Sequence, residues 1–165
     1  MSTLDLLIER LQTARKWTCN LLADFEEARW FDPPAPGVGH VAWQVGHLAA
    51  SQVVLVHVRC FDRTYTDHLS AAFRDQFGRG STPVANPAAY PAISDIRAAF
   101  DRIHQEAVEL ISGMSPDELD SPTTGEPHPM FNTRAEAIGM AAMHESFHAG
   151  QIALIRRLAG KAPLR

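Results

Sequence analysis

The chain of 165 residues predicts an all-α fold, a four-helix bundle with one long crossover connection between the second and third helices. Three observations lead there. Four separate stretches repeat their apolar residues with helical spacing, no stretch alternates as a strand would, and one connection is far longer than its neighbours. The length fits one domain spanning residues 1–165.

The first helix is expected from about Thr3 to Ala28, with Leu4, Leu7, Leu11, Ala14, Thr18, Leu21 and Phe25 on one face. Ser2 or Thr3 caps it, and Asp32-Pro33-Pro34-Ala35-Pro36-Gly37 stops it. The second is expected from about His40 to Phe61, with an inward stripe of Gln44, His47, Leu48, Ser51, Val54, Leu55 and Val58. The polar residues sit in the first half of that stripe, which is unusual for a core face. Asp62 to Ala92 is the long connection, with room for a short helix over Asp67 to Phe77. The third helix is expected from an N-cap at Ser94 to about Ser112, with Ile96, Phe100, Ile103, Ala107 and Leu110 inward. Ser115-Pro116-Asp117-Glu118 reads as one capped turn, and Thr123 to Phe131 as loop. The fourth helix opens on a capping box of Thr133 and Glu136 and runs to about Ala159, with Gly160 ending it. Ala137, Ala141, His144, His148, Ile152 and Ile155 share its face.

Composition removes several function classes. The apolar fraction is 45%, the charged fraction 21% and the net charge −4, the profile of a folded globular protein. No run of Lys and Arg marks a nucleic-acid surface, and the one basic cluster, Arg156, Arg157, Lys161 and Arg165, reads as cations at the end of the last helix. Cys19 and Cys60 form no CxxC motif and are expected as free thiols in helices. The acidic and basic residues near the N-terminus do not resemble a signal peptide, and Val53 to Val58, interrupted by His57, is too short to span a bilayer. The expected setting is cytoplasmic, with a small-molecule substrate and neither nucleic acid nor membrane as partner.

The chemistry lies in the histidines. His144-Glu145-Ser146-Phe147-His148 is an HExxH pattern. About 0.02 such matches arise by chance at this composition, so the match is informative. Residues i and i+4 stack on one helical face, so both imidazoles point at one ion. A third ligand is needed, and the 17 residues after His148 contain no His, Asp or Glu. It must come from upstream, and His47, on the inward stripe of the second helix, is the choice. His40 lies two turns earlier, roughly 10 Å away, too far to share the ion. His57 sits in an apolar stretch but off the stripe, and His68, His104 and His128 are expected to be solvated or locally hydrogen-bonded. Glu145 is a candidate general base, Gln151 a candidate for orienting a ligand imidazole, and Trp43, Phe131 and Tyr90 candidates for lining the mouth.

The segment His144 to Ile152, His-Glu-Ser-Phe-His-Ala-Gly-Gln-Ile, followed by Arg156-Arg157, resembles the last helix of DinB-like domain proteins. Val41-Ala42-Trp43-Gln44-Val45-Gly46-His47-Leu48 resembles their second helix, which carries a lone histidine. The resemblance covers nearly the whole chain. It implies a four-helix bundle, a metal held by His47, His144 and His148, and frequent homodimers. Its characterised relatives include enzymes that depend on low-molecular-weight thiols, such as maleylpyruvate isomerases and bacillithiol S-transferases. The expected cofactors are therefore a divalent metal, zinc or nickel, and a small thiol. The expected reaction is thiol transfer to an electrophile or thiol-assisted isomerisation. A metallohydrolase and a non-catalytic metal-binding stress protein are the alternatives.

Overall fold

A computed structural model describes residues 1–164 and contains six α-helices, three short 3-10 helices and no strand among them. The α-helices are α1 (Thr3–Leu22), α2 (Val41–Phe61), α3 (Ala71–Phe77), α4 (Ile93–Ser112), α5 (Pro116–Asp120) and α6 (Arg134–Leu158). Arg165 of the basic cluster lies outside the described residues.

The helix starts follow the capping chemistry. Ser2 and Asp5 close a capping box on α1, Ser115 and Glu118 on α5, and Thr133 and Glu136 on α6. The imidazole of His40 caps α2 by accepting from the Trp43 backbone N–H at 3.1 Å. Ser94 is not the cap of α4. That helix begins at Ile93, and the Ala92 carbonyl accepts from Asp95 and Ile96 without side-chain help.

The bundle runs up-down-down-up. One core cluster joins the C-terminal half of α1, the N-terminal halves of α2 and α4, and the C-terminal half of α6. A second joins the four opposite ends, through Leu11, Val56, Cys60, Ala107, Ile111, Ala137 and Ile138. Helices α2 and α4 are therefore parallel, and only a crossover can connect them. That crossover carries α3 back to the upper end, where Phe73 and Phe77 enter the core. Phe77 is fully buried and packs against Gly46 of α2, where any side chain would collide with its ring.

Two helices depart from the expected pattern. Helix α1 stops at Leu22, not Ala28, because Arg156 of α6 donates to the Leu21 carbonyl at 2.6 Å and pairs with Asp24. Arg156 is a cation in the last turn of α6, as expected, and it is also a buried clamp on the end of α1. Helix α2 passes through a π segment at Val53–Val58. Its wider turn shifts the phase of the helix. Val54, expected inward, is 40% exposed, and His57, expected off the stripe, is 0% exposed. The whole of α2 is long and apolar enough by composition to cross a membrane, but 72% of its most apolar window is buried within the bundle. Its apolarity is that of a central core helix.

Candidate metal centre

His47 lies two turns into α2, and His144 and His148 lie one turn apart on α6. The structure brings the three together: one ring nitrogen of each lies within 4.8 Å of the other two. The ring centroids are 5.1 Å apart for His47 and His144, 4.9 Å for His47 and His148, and 4.6 Å for His144 and His148. The two α6 imidazoles approach through their Nε2 atoms at 3.3 Å. Two nitrogens bound tetrahedrally to one zinc-sized ion stand about 3.3 Å apart, so that spacing already fits.

The far side of two rings is fixed by an oxygen. His47 Nδ1 donates to the Phe77 carbonyl at 2.7 Å, which leaves its Nε2 as a lone pair beside the Ser51 hydroxyl. His148 Nδ1 is held by the side-chain oxygen of Gln44. An oxygen on Nδ1 selects the tautomer that offers Nε2 to a metal and sets the ring's orientation. Burial pushes His47 below the usual histidine range. Burial, with His47 adjacent, takes His144 down to about 4. Burial, with both neighbours, takes His148 to about 3. All three are neutral at pH 7 and ready to ligate without losing a proton. Neutral donors, convergent Nε2 atoms and preset tautomers fit a divalent ion of the zinc or nickel type.

Other expected site residues fall differently. Trp43 is at the site, its ring stacked on His47 at 4.6 Å and its Nε1–H donating to Ser81 at 3.0 Å. Phe131 is not. It is buried in the lower core, stacked on His128 at 4.0 Å, because the loop before α6 folds under the opposite end of the bundle. Tyr90 packs on Phe77 and His40 behind the site, and its hydroxyl accepts from the Val84 backbone. Glu145 does not face the histidines. One residue further along the helix points it about 100° away, where Arg15 Nε donates to it at 2.8 Å and both groups are buried. Its carboxylate is committed to that ion pair, which corrects the expectation of a general base. Gln151 is solvent-exposed, though near enough to His148 to favour its charged form. The oxygen on the ring is that of Gln44.

The residues missed in the sequence are Gln44, Phe77 and Arg15. Gln44 stands on the predicted stripe three residues before His47, a spacing that places it on the same face. Phe77 contributes a backbone carbonyl, which no side-chain motif reports.

The family model described as the DinB superfamily matches residues 10–152. No curated protein matches the sequence. Among solved structures, a conserved protein from Enterococcus faecalis superposes with a TM-score of 0.70 at 21% identity, over 98% of this chain and 99% of that one. YfiT from Bacillus subtilis superposes with a TM-score of 0.66 at 17% identity, over 98% of this chain and 91% of that one. YfiT is described as a probable metal-dependent hydrolase with an unusual four-helix bundle topology.

Proposed function

This chain belongs to the DinB superfamily, and from that premise we propose that it is a metal-dependent enzyme that activates a small thiol for transfer to an electrophile or for isomerisation. The observation that carries the reading is the donor set: three neutral imidazoles converge with no carboxylate in the group. Such a set leaves the full charge of a divalent ion to act on whatever else it binds, and supplies a Lewis acid that lowers the pKa of a thiol or water. Zinc or nickel suits it.

The protein's own groups shape the rest. Phe77 and Gln44 hold the ring tautomers of His47 and His148, so two of the three ligands need no reorganisation. Trp43 covers one face of His47 and presents an apolar wall to the substrate. His144 is the least buried of the three, which marks the side from which substrate enters. In transfer, the thiol proton passes to solvent, a carbon–sulfur bond forms and the leaving group departs with the bonding pair. In isomerisation, the same bond forms and breaks again, and the thiol returns unchanged.

The test is to load the protein with Zn2+ or Ni2+ and supply small thiols with a chromogenic electrophile. Thiol-dependent turnover that falls to background in His144→Ala is the expected result. Equal rates in the two proteins would overturn the reading. A hydrolase is the second reading, favoured by the description of YfiT, and an ester panel without thiol tests it. Metal bound but no turnover in either assay points to a non-catalytic binding protein. The proposed partner besides substrate is a second copy of the chain. Met143, Phe147, Leu154 and Leu158 form an exposed apolar stripe on α6 that supports it, and light scattering gives the mass. A reducing cytoplasmic setting agrees with two unbridged cysteines.

A further inference from the structure

A second histidine cluster lies at the start of the crossover, served by three separate elements. His57 comes from the π segment of α2, His68 from the turn just after the 3-10 helix Tyr65–Asp67, and Glu106 from α4. One ligand atom of each lies within 4.8 Å of the other two. His68 Nδ1 is 3.0 Å and His57 Nε2 3.6 Å from the same oxygen, Glu106 Oε2. These distances bracket the roughly 3.3 Å that separates two ligand atoms on a tetrahedral zinc-type ion.

A hydrogen bond joins His68 Nδ1 to Glu106 Oε2, but it leaves His57 unaccounted for. His57 is 0% exposed, yet neither of its ring nitrogens closes a hydrogen bond, although the Gln52 carbonyl lies near enough to favour its charged form. A buried imidazole left this way is destabilising. Glu106 is prepared on its other side: Arg102 donates to Oε1 at 2.7 Å and to the His68 carbonyl at 2.7 Å, leaving Oε2 facing the histidines. A cleft of about 440 Å3 opens over the cluster, lined by Arg63, Asp67, His68, Glu106, Glu109 and Leu110. Its three carboxylates outnumber its one guanidinium, a bias that draws cations. The π turn that delivers His57 is itself a feature often found at functional positions.

We infer that His57, His68 and Glu106 form a second site for a divalent transition-metal ion of the zinc class, one that pins the start of the crossover to α2 and α4. The two imidazoles and one carboxylate supply three ligands, and solvent from the cleft completes the shell. The inference is independent of the upper centre.

The experiment is a Zn2+ titration of the tag-free full chain, with metal analysis after dialysis. The wild type is expected to hold two equivalents, His144→Ala one and His68→Ala one, while Glu106→Gln weakens one equivalent by at least about tenfold. One equivalent that survives His144→Ala but disappears in His68→Ala supports this site and sinks the upper one. One wild-type equivalent that His144→Ala abolishes overturns this site. So do two equivalents that His68→Ala leaves intact. If His68→Ala loses its helical circular dichroism, the half-exposed Glu106→Gln decides alone, and unchanged Zn2+ affinity in that variant overturns the assignment.

Discussion

The HExxH segment of α6 feeds two polar regions of one core, and they are built on opposite principles. On one side, His144 and His148 meet His47 with their Nε2 atoms turned toward each other. On the other, Glu145 closes a network in which donors and acceptors are consumed. Arg15 donates to Glu145, to the Phe100 carbonyl at 2.5 Å and to the Gln52 side-chain oxygen at 3.2 Å, and its guanidinium lies 3.3 Å above the Phe100 ring. The Gln52 amide then reaches His104 Nδ1 at 3.3 Å. Both regions are buried, and both draw on α2 and α6. What separates them is what the side chains face: a closed network of charged and neutral partners holds the bundle together, whereas three imidazoles turned on one another are an invitation to a cation.

The sharpest way to break that comparison is to exchange the two effects. Glu145→Gln leaves the buried Arg15 charge with only the exposed Asp101 carboxylate, 3.9 Å away, which is expected to cost about 3 kcal/mol in urea or thermal unfolding. Its metal occupancy should match the wild type, and His144→Ala should show the reverse, with metal lost and stability of the metal-free protein nearly kept. If Glu145→Gln abolished turnover in a fully folded, metal-loaded protein, the division of the motif into two roles would be wrong.

Acid should distinguish the closed network next. Burial, then the neighbouring Arg15 charge, takes His104 down to about 3 from an ordinary value of 6.5. A depressed histidine is neutral in the folded chain, so its contribution to stability is complete above pH 6.5 and drains away as the pH falls toward 3. The urea midpoint of the metal-free wild type should therefore drop between pH 7.5 and 5, and His104→Gln should drop less. Equal slopes would remove His104 from the network's energetics.

Gln44→Ala probes the open region more gently. It removes the oxygen on His148 Nδ1 and keeps all three ligands, so metal affinity should fall about 10–100-fold. An unchanged dissociation constant would show that the tautomer is not set by Gln44.

Legibility in the sequence followed how many elements each feature needs. The bundle, its crossover and the α6 pair were readable because helical spacing and one HxxxH are local patterns on single helices. His47 was readable as a candidate from its place on the inward stripe of α2. The Arg15 and Glu145 pair was not, since its members lie 130 residues apart and each alone passes for a surface charge. The phase of α2 beyond Gln52 was lost at the π segment, where 3.6-residue counting fails, so His57 was placed outside the core it occupies. Phe131 was assigned to the wrong end because loop residues carry no periodicity to orient them.

Gly46→Ala tests the link by which the crossover reaches the open region. Gly46 sits one residue before His47, and a methyl group there would enter the Phe77 ring, which is fully enclosed. Phe77 ends α3, and its carbonyl is the acceptor for His47 Nδ1. Relief of the clash must move the ring, the end of α3 or both, at a cost of about 1–3 kcal/mol. Either motion pulls the carbonyl from the imidazole and frees His47 to adopt its other tautomer. The expected result is a modestly lower unfolding midpoint together with weaker metal binding, the second effect absent from Phe73→Leu, a conservative change in the same packing whose backbone touches no ligand. Were both variants to lower stability alike and leave metal affinity untouched, the crossover would be only a cover for the core and not part of the site.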